Sequence, residues 1–115
     1  MRCPVCGRDS IDIETVTHID YERHHWGLPV SITSGFRCEK HNRDVGGADD
    51  SQHLFARAID SKIVGISLRQ RYDYYNSRWP DRYGIGVYPA WNMLHFDTRT
   101  NGPARWVQEG EVFTL

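Results

Sequence analysis

Hydrophobic side chains recur at helical intervals in two stretches of the chain. The first predicted helix covers residues 11–26 and is followed by a glycine and a proline, as is common after a helix C-terminus. One side of it carries Ile13, Val16 and Ile19. The second predicted helix begins after Ser67, a favoured N-cap residue, and ends before a proline. Its apolar residues have the i, i+4, i+7, i+11 spacing of a buried face: Leu68, Tyr72, Tyr75 and Trp79.

Short segments rich in β-branched and aromatic residues predict four strands. These strands cover residues 28–34, 58–64, 84–88 and 93–99. Residues 35–52 are rich in Gly, Asp, Asn and Arg, and they predict a long loop of the kind that is usually functional in a small domain. The tail from residue 100 is expected to be irregular. This order of elements predicts one α+β domain over residues 1–115, with flanking helices and a small, mainly antiparallel sheet.

Composition narrows the class of protein further. The chain has 115 residues, which is room for one domain, and its net charge of -1 disfavours a polybasic partner of nucleic acid or of a membrane surface. No run of apolar side chains exceeds three residues, so the sequence predicts neither a membrane span nor a signal peptide. We therefore expect a protein that is made in the cytoplasm and binds no nucleic acid.

The three cysteines suggest a structural metal site. Cys3 and Cys6 form a C-x-x-C knuckle within the N-terminal residues 1–10, and this spacing suits metal chelation. Cys38 and His41 have the same spacing, so the four side chains have the composition of a closed tetrahedral zinc site. One alternative is a disulfide between Cys38 and either Cys3 or Cys6. The other is a set of free thiols, with His41 capping the loop.

Two histidines and one aspartate are candidates for a catalytic metal site. His53 and Asp60 are seven residues apart, and His95 lies on a later predicted strand. Two imidazoles and one carboxylate leave a coordination position open for water, as in catalytic zinc sites. Spacing alone favours a plainer interpretation, in which His53 is a surface residue of a loop and His95 is a hydrogen-bonded strand residue.

Several ordered motifs surround these three residues. They are Ser34-Gly35-Phe36-Arg37-Cys38 with His41-Asn42, Val45-Gly46-Gly47, Ser51-x-His53 through Ala58-x-Asp60, Gly84-Ile85-Gly86-Val87-Tyr88, and His95-x-Asp97-x-Arg99. Together they resemble the M15 family of zinc D-Ala-D-Ala carboxypeptidases, above all its short phage and prophage members. The resemblance extends from about Ile11 to Trp106. It implies the α+β fold that these peptidases share with the hedgehog signalling domain.

The resemblance also implies roles for individual residues. His53, Asp60 and His95 match the family's zinc ligands. Arg37 matches the arginine that would bind a substrate carboxylate or carbonyl and stabilise the developing oxyanion. The alternative for Arg37 is a surface salt bridge.

Three further residues are candidates for the same site. Ser51 would orient the first histidine ligand or contact substrate, and its alternative role is that of a turn hydroxyl. Asp97, two residues after His95, should point to the same face of the sheet and accept a hydrogen bond from that imidazole. The alternative for Asp97 is an exposed strand charge. Trp91 is the aromatic residue that we expect to line a substrate cleft.

The sequence departs from the family pattern at two positions. Ala56 stands where glycine is usual. Asn92 stands where well-studied members carry an acid, three residues before the last histidine ligand, and an amide cannot accept a proton at neutral pH. The general base is therefore unassigned, and its candidates are Asp97 and the acids of residues 44–50: Asp44, Asp49 and Asp50. For those three loop acids, plain solvation is the favoured alternative.

The combined prediction is a zinc metallopeptidase that hydrolyses the stem peptides of bacterial peptidoglycan, at the D-Ala-D-Ala or the L-Ala-D-Glu bond. It would carry one catalytic zinc ion and, if the cysteines bind metal, a second structural one. Such an enzyme would suit a phage that delivers it to the cell wall through a holin or with its tail proteins. The alternatives are a non-catalytic zinc-bearing binding or phage structural domain of the same fold, which Asn92 favours, and a zinc-knuckle interaction protein built on the cysteines.

Overall fold

The computed structural model describes residues 13–34 and 57–115, which form two helices and a five-stranded sheet. The helices are α1, Ile13–Trp26, and α2, Leu68–Arg78. The strands are β1, Ser31–Ser34; β2, Ala58–Lys62; β3, Gly84–Tyr88; β4, Met93–Asp97; and β5, Ala104–Val107. A short 3-10 turn at Pro89–Trp91 connects β3 to β4. The predicted α+β class is confirmed, and three of the four predicted strands are shorter than expected.

The strand order β1-β2-β4-β3-β5 places β4 at the centre of an open sheet. All neighbours are antiparallel except β3 and β5, which are parallel. His95 on β4 lies opposite Asp60 on β2 and Gly86 on β3, and Gly86 lies opposite Trp106 on β5. Because residues in register share a face of a sheet, this row of four residues lies on one face.

The other face of the sheet packs against the helices and forms the hydrophobic core. It contains buried side chains from the three central strands: Ile59, Ile85, Val87, Leu94 and Phe96. The ring of Phe96 stacks on that of Tyr75 in α2, with centroids 4.4 Å apart. Leu68, Tyr72 and Tyr75 are buried and Trp79 packs against them, so the predicted buried face of α2 is confirmed. Ser67 caps this helix as predicted, because its side chain accepts a hydrogen bond from the backbone N–H of Gln70.

The buried face of α1 differs from the predicted one. Ile13 is 81% exposed and Val16 is 39% exposed, whereas Thr15, Ile19 and Glu22 are buried. The physical reason is that Thr15 and Glu22 are held by hydrogen bonds, which hydrophobic periodicity does not register. Thr15 hydrogen-bonds to the hydroxyl of Thr98 at 2.8 Å, and further along the helix Glu22 reaches the interior.

Glu22 forms a buried ion pair with Arg71 of α2. Two guanidinium nitrogens of Arg71 donate to the two carboxylate oxygens of Glu22, each at 2.7 Å, and Tyr75 donates its hydroxyl to the same carboxylate at 2.7 Å. Arg71 also donates to the carbonyl and hydroxyl oxygens of Ser61 on β2, both at 2.9 Å. A buried ion pair is tolerated when its remaining donors and acceptors are satisfied in this way. The network therefore links both helices to the sheet.

The tail expected to be irregular contains strand β5. Its backbone is aligned beside β3, with Gln108 donating to the carbonyl of Val87 at 2.8 Å. The guanidinium of Arg105 donates to the carbonyls of Trp79 at 2.7 Å and Arg82 at 3.0 Å, just beyond the end of α2. These partners are more than twenty residues away in sequence, so the residue types at positions 104–107 do not predict the contacts that hold β5.

Candidate active site

Asp60 and His95 face each other across strands β2 and β4. The Nδ1 atom of His95 lies 2.8 Å from Oδ1 of Asp60. Both side chains are largely buried, with 9% and 14% of their surfaces exposed. Antiparallel pairing puts the two residues in register, so β2 and β4 themselves position two of the three predicted zinc ligands next to each other.

Asp97 contacts the other side of the His95 ring. Its Oδ2 atom lies 2.7 Å from Nε2 of His95, and the carboxylate is fully buried. Arg99 holds this carboxylate through both oxygens, at 2.8 Å from Nε and 2.7 Å from Nη2. The orientation predicted for Asp97 is thus observed, and the alternative of an exposed strand charge is wrong. The four side chains form one continuous chain of contacts: Arg99, Asp97, His95 and Asp60.

Charges within this chain stabilise one another. Burial by itself would raise the pKa of Asp97, but hydrogen bonds from Arg99 and His95 outweigh it and hold that pKa well below its usual range. Burial by itself would lower the pKa of His95, but hydrogen bonds to Asp60 and Asp97 outweigh it and raise that pKa. Asp97 is therefore ionised at neutral pH and is a strong acceptor for the His95 ring.

The donor atoms of Asp60 and His95 fit a zinc ion. When Nε2–H of His95 donates to Asp97, the Nδ1 lone pair is directed to the side where Asp60 lies, and this carboxylate–histidine arrangement is typical of metal sites. An imidazole nitrogen and a carboxylate oxygen are both ligands that zinc accepts. Residues 13–34 and 57–115 contain no group of three or more His, Cys, Asp or Glu side chains that could hold a metal ion. A full set therefore needs a ligand from elsewhere, and His53, the predicted one, lies outside the described residues.

The sequence matches the family model described as peptidase M15 over residues 2–97, most of the chain. The chain belongs to the peptidase M15 family. Membership confirms the predicted family and indicates a metallopeptidase, in a family that is generally zinc-dependent. Neither a curated protein nor a solved structure matches the chain. The match includes Asp60, His95 and Asp97, whereas strand β5 lies beyond it.

Two glycines of β3 make room for the site of this M15 peptidase. A Cβ atom on Gly84 would lie 2.5 Å from Oδ1 of Asp97, and one on Gly86 would lie 2.5 Å from Nε1 of Trp106. Real Cβ atoms do not approach neighbours this closely, so any side chain here would displace Asp97 or Trp106. The Gly-Ile-Gly segment of the family motif indicates that two positions on one face must lack a side chain, because residues two apart in a strand share a face.

An indole ring that sequence reasoning did not assign to the site lies beside His95. The ring centroids of Trp106 and His95 are 4.9 Å apart, and Trp106 donates its Nε1–H to the hydroxyl of Tyr88 at 2.9 Å. The ring of Tyr88 is nearly parallel to that of Trp91, with 5.9 Å between centroids. Trp91 is 56% exposed. A series of ring contacts and one hydrogen bond therefore connects Trp91 to His95 through Tyr88 and Trp106.

The backbone conformation at position 92 favours asparagine. It follows the 3-10 turn with φ 49° and ψ 43°, the left-handed region, and its N–H donates to the carbonyl of Pro89 at 3.2 Å. Asparagine adopts this conformation more readily than most residues with a side chain. The residue that replaces the family's usual acid therefore suits the tight connection between β3 and β4.

The remaining predicted site residues lie outside the described residues. They are Arg37, Ser51 and His53 of the catalytic site, Cys3, Cys6, Cys38 and His41 of the second metal site, and the acids Asp44, Asp49 and Asp50. Ala56, the other departure from the family pattern, also lies there. Their roles stay predictions from the sequence.

Proposed function

We propose that this M15 family member is a zinc peptidase that hydrolyses the stem peptides of bacterial peptidoglycan, at the D-Ala-D-Ala or the L-Ala-D-Glu bond. The observation that supports it most is the contact between Asp60 and His95, with Asp97 on the far side of the imidazole. Asp60 and His95 occupy two ligand positions of the family pattern, and their donor atoms suit zinc.

In this proposal His53, Asp60 and His95 hold one zinc ion. Bound there, the ion would supply Lewis-acid chemistry for the scissile carbonyl and for an attacking water. Asp97 accepts the Nε2–H of His95 and so keeps Nδ1 available as a ligand. Arg99 keeps that carboxylate ionised and in place.

The other predicted residues bind and orient the substrate. Arg37 would bind a substrate carboxylate or the developing oxyanion, since a guanidinium offers paired donors to such groups. Ser51 would orient His53 or contact the peptide, and Trp91 would line the cleft.

The contacts of Asp97 reduce the number of candidates for the general base. Both oxygens of Asp97 are engaged by Arg99 and His95, which suits a residue that positions the imidazole better than one that receives a proton from water. Asn92 offers an amide, which is not a base. We therefore propose that an acid of residues 44–50 serves as the general base. The second candidate function is the non-catalytic zinc-bearing binding domain, which Asn92 favours.

Hydrolysis and metal content test the proposal together. Purified protein should carry zinc and release D-Ala or cleave muropeptides, and His53→Ala should lose at least about 99% of that activity because a ligand is missing. His24→Ala, which removes an exposed histidine of α1, is the matched control and should keep full activity. If His53→Ala hydrolyses normally, His53 is not a ligand. Zinc-loaded wild type that cuts neither stem peptide nor sacculus would favour the binding domain instead.

The cysteine cluster has a separate test. If Cys3, Cys6, Cys38 and His41 hold a structural zinc ion, wild type should contain about two zinc ions per chain, and Cys6→Ser should contain about one. Wild type with one zinc ion, unchanged in Cys6→Ser, would favour a disulfide or free thiols.

We also propose that the peptidase acts at the bacterial cell wall, with phage holin or tail proteins as its route of delivery. No helix within residues 13–34 or 57–115 has the length and apolar character that crossing a bilayer requires. Cells that produce the peptidase should lyse only when a holin is co-expressed. Lysis by the peptidase alone would contradict this route.

A further inference from the structure

Three aromatic side chains connect the candidate metal centre to the protein surface. Trp106 lies against His95, Tyr88 accepts a hydrogen bond from the Trp106 indole, and Trp91 stacks beside Tyr88. We call Trp106, Tyr88 and Trp91 the aromatic strip. Its inner end is at a predicted zinc ligand and its outer end is more than half exposed, so a molecule bound at the metal centre could extend along it.

The strip is held in place by specific contacts. The Trp106 indole lies directly over Gly86, where no side chain could be accommodated. Trp91 belongs to the 3-10 turn, and the backbone N–H of Ala90 in that turn donates to the side chain of Gln108 at 3.2 Å. Rings that are positioned before a ligand arrives bind it at a lower cost in conformational entropy.

The chemistry at the outer end favours a neutral ligand with polar edges. Among the described residues, those next to Trp91 in the turn and the residue hydrogen-bonded to that turn are uncharged: Pro89, Ala90, Asn92 and Gln108. The charged groups of a stem peptide would find no ion-pair partner among these residues. A pyranose ring places its C–H groups on an aromatic face and its hydroxyl and acetamido groups at the edge, where Asn92 and Gln108 offer amides.

We infer that the aromatic strip binds an N-acetylated amino sugar of the glycan strand to which the stem peptide is attached. This inference rests on the proposed function for the identity of the substrate. The peptide would occupy the metal centre, and the sugar would lie on the exposed face of Trp91. The peptidase would then prefer glycan-linked stem peptides to free ones.

A binding measurement tests the strip without requiring hydrolysis. Titration with tetra-N-acetylchitotetraose, a neutral oligomer of the same sugar class, should shift the Trp91 indole NMR signal of the wild type. Trp91→Ala should weaken binding roughly three- to tenfold, whereas Trp91→Phe should retain most of it. Val112→Ala, which trims another highly exposed apolar residue, should bind as the wild type does. Equal affinity of wild type and Trp91→Ala would overturn the inference.

Kinetics on two matched substrates give the second test. Trp91→Ala should raise KM roughly three- to tenfold more for a disaccharide-linked stem peptide than for the same free peptide, with kcat for the two substrates changed alike. Equal losses on both substrates would overturn the inference, because the ring would then bind peptide. If the wild type cleaves neither substrate, the proposed function fails, and the oligomer titration alone decides whether the strip binds sugar.

Discussion

The two faces of the sheet use the same strands for different purposes. Along β4, Leu94 and Phe96 point into the hydrophobic core, whereas His95 and Asp97 point to the candidate metal centre. On β3, Ile85 and Val87 belong to the core, and the two glycines that alternate with them leave space for site residues. The helices cover one face, so it supplies most of the burial that stabilises the fold. The other face is free to hold polar and charged groups in fixed positions.

Buried charge shows the same division. On the helix side, the carboxylate of Glu22 is satisfied by Arg71, Tyr75 and Trp26, and Arg71 is in turn satisfied by Ser61. This network is internally complete, which is what a structural role requires. On the opposite face, the His95 ring lies between the carboxylates of Asp97 and Asp60. Its Nδ1 atom lies beside an oxygen of Asp60, and both atoms are of the kinds that bind zinc. The same kinds of group therefore stabilise the fold in one place and suit ligand binding in the other.

The largest effect should come from the core face. Phe96→Ala removes a fully buried ring that stacks on Tyr75, and we expect the free energy of unfolding to fall by about 3–5 kcal/mol. Urea denaturation followed by circular dichroism measures this change. Val112→Ala, at a highly exposed position, should change it by less than about 0.5 kcal/mol. A loss of less than about 1 kcal/mol for Phe96→Ala would mean that the core is not centred on β4.

Loss of the Glu22–Arg71 pair should have an effect of similar size. Glu22→Ala leaves the Arg71 guanidinium buried without its carboxylate, and the free energy of unfolding should fall by about 3–5 kcal/mol. Asp20→Ala is the matched control on the same helix, because it breaks only exposed contacts with Arg23 and His24 and should change stability little. Similar stabilities of the two variants would contradict a structural role for the buried network.

On the site face, Asp97→Asn should act on metal affinity. The amide keeps the shape of the carboxylate but loses the charge that orients His95, so zinc affinity should fall about 10–100-fold. Competition with a chelator measures the affinity, and Asp73→Asn, an exposed carboxylate of α2, should leave it unchanged. If Asp97→Asn bound zinc as tightly as the wild type, Asp97 would serve to hold Arg99 and not to orient His95.

Gly86→Ala tests how closely the site face is packed. The added methyl group collides with the Trp106 indole, and we expect a loss of about 1–3 kcal/mol in the free energy of unfolding together with a change in tryptophan fluorescence. The double variant Gly86→Ala with Trp106→Ala removes the collision, so the methyl group should cost less in that background. An equal cost in both backgrounds would show that the indole is not what excludes a side chain.

The smallest effect concerns pH. Burial lowers the pKa of His18 below 6.5, with Glu14 opposing and Arg82 reinforcing the shift, and within the described residues its Nδ1 has no hydrogen-bond partner. The folded state therefore binds fewer protons than the unfolded state, so this contribution to stability is present above pH 6.5 and is lost as pH falls below it. The slope is at most about 1.4 kcal/mol per pH unit.

His18→Phe should reduce this pH dependence, measured as the free energy of unfolding between pH 7 and 5. His24→Ala, at an exposed position, should keep it. The contribution of His18 would be refuted if His18→Phe and wild type lose stability in parallel over that range.

Much of the fold could be predicted because its signals are local. Strand β3 has the bounds that its residue types predict, and α2 buries the aromatic residues that its periodicity indicates. The buried face of α1 could not be predicted, because Thr15 and Glu22 are buried by hydrogen bonds to distant residues. Strand β5 was missed for the same reason, since the contacts of Arg105 and Trp106 lie outside their own segment.

The sequence by itself determined the family, the α+β class and the chemical types of the candidate zinc ligands, because motif order and residue type need no coordinates. The resemblance grouped Asp60 with His95, but only the tertiary structure gave their direct contact and paired Glu22 with Arg71. Asp60 and His95 are 35 residues apart and Glu22 and Arg71 are 49 apart, so their pairing depends on strand register and helix packing. The tertiary structure also placed Trp106 beside the candidate metal centre, because the parallel pairing of β5 with β3 sets that indole over Gly86.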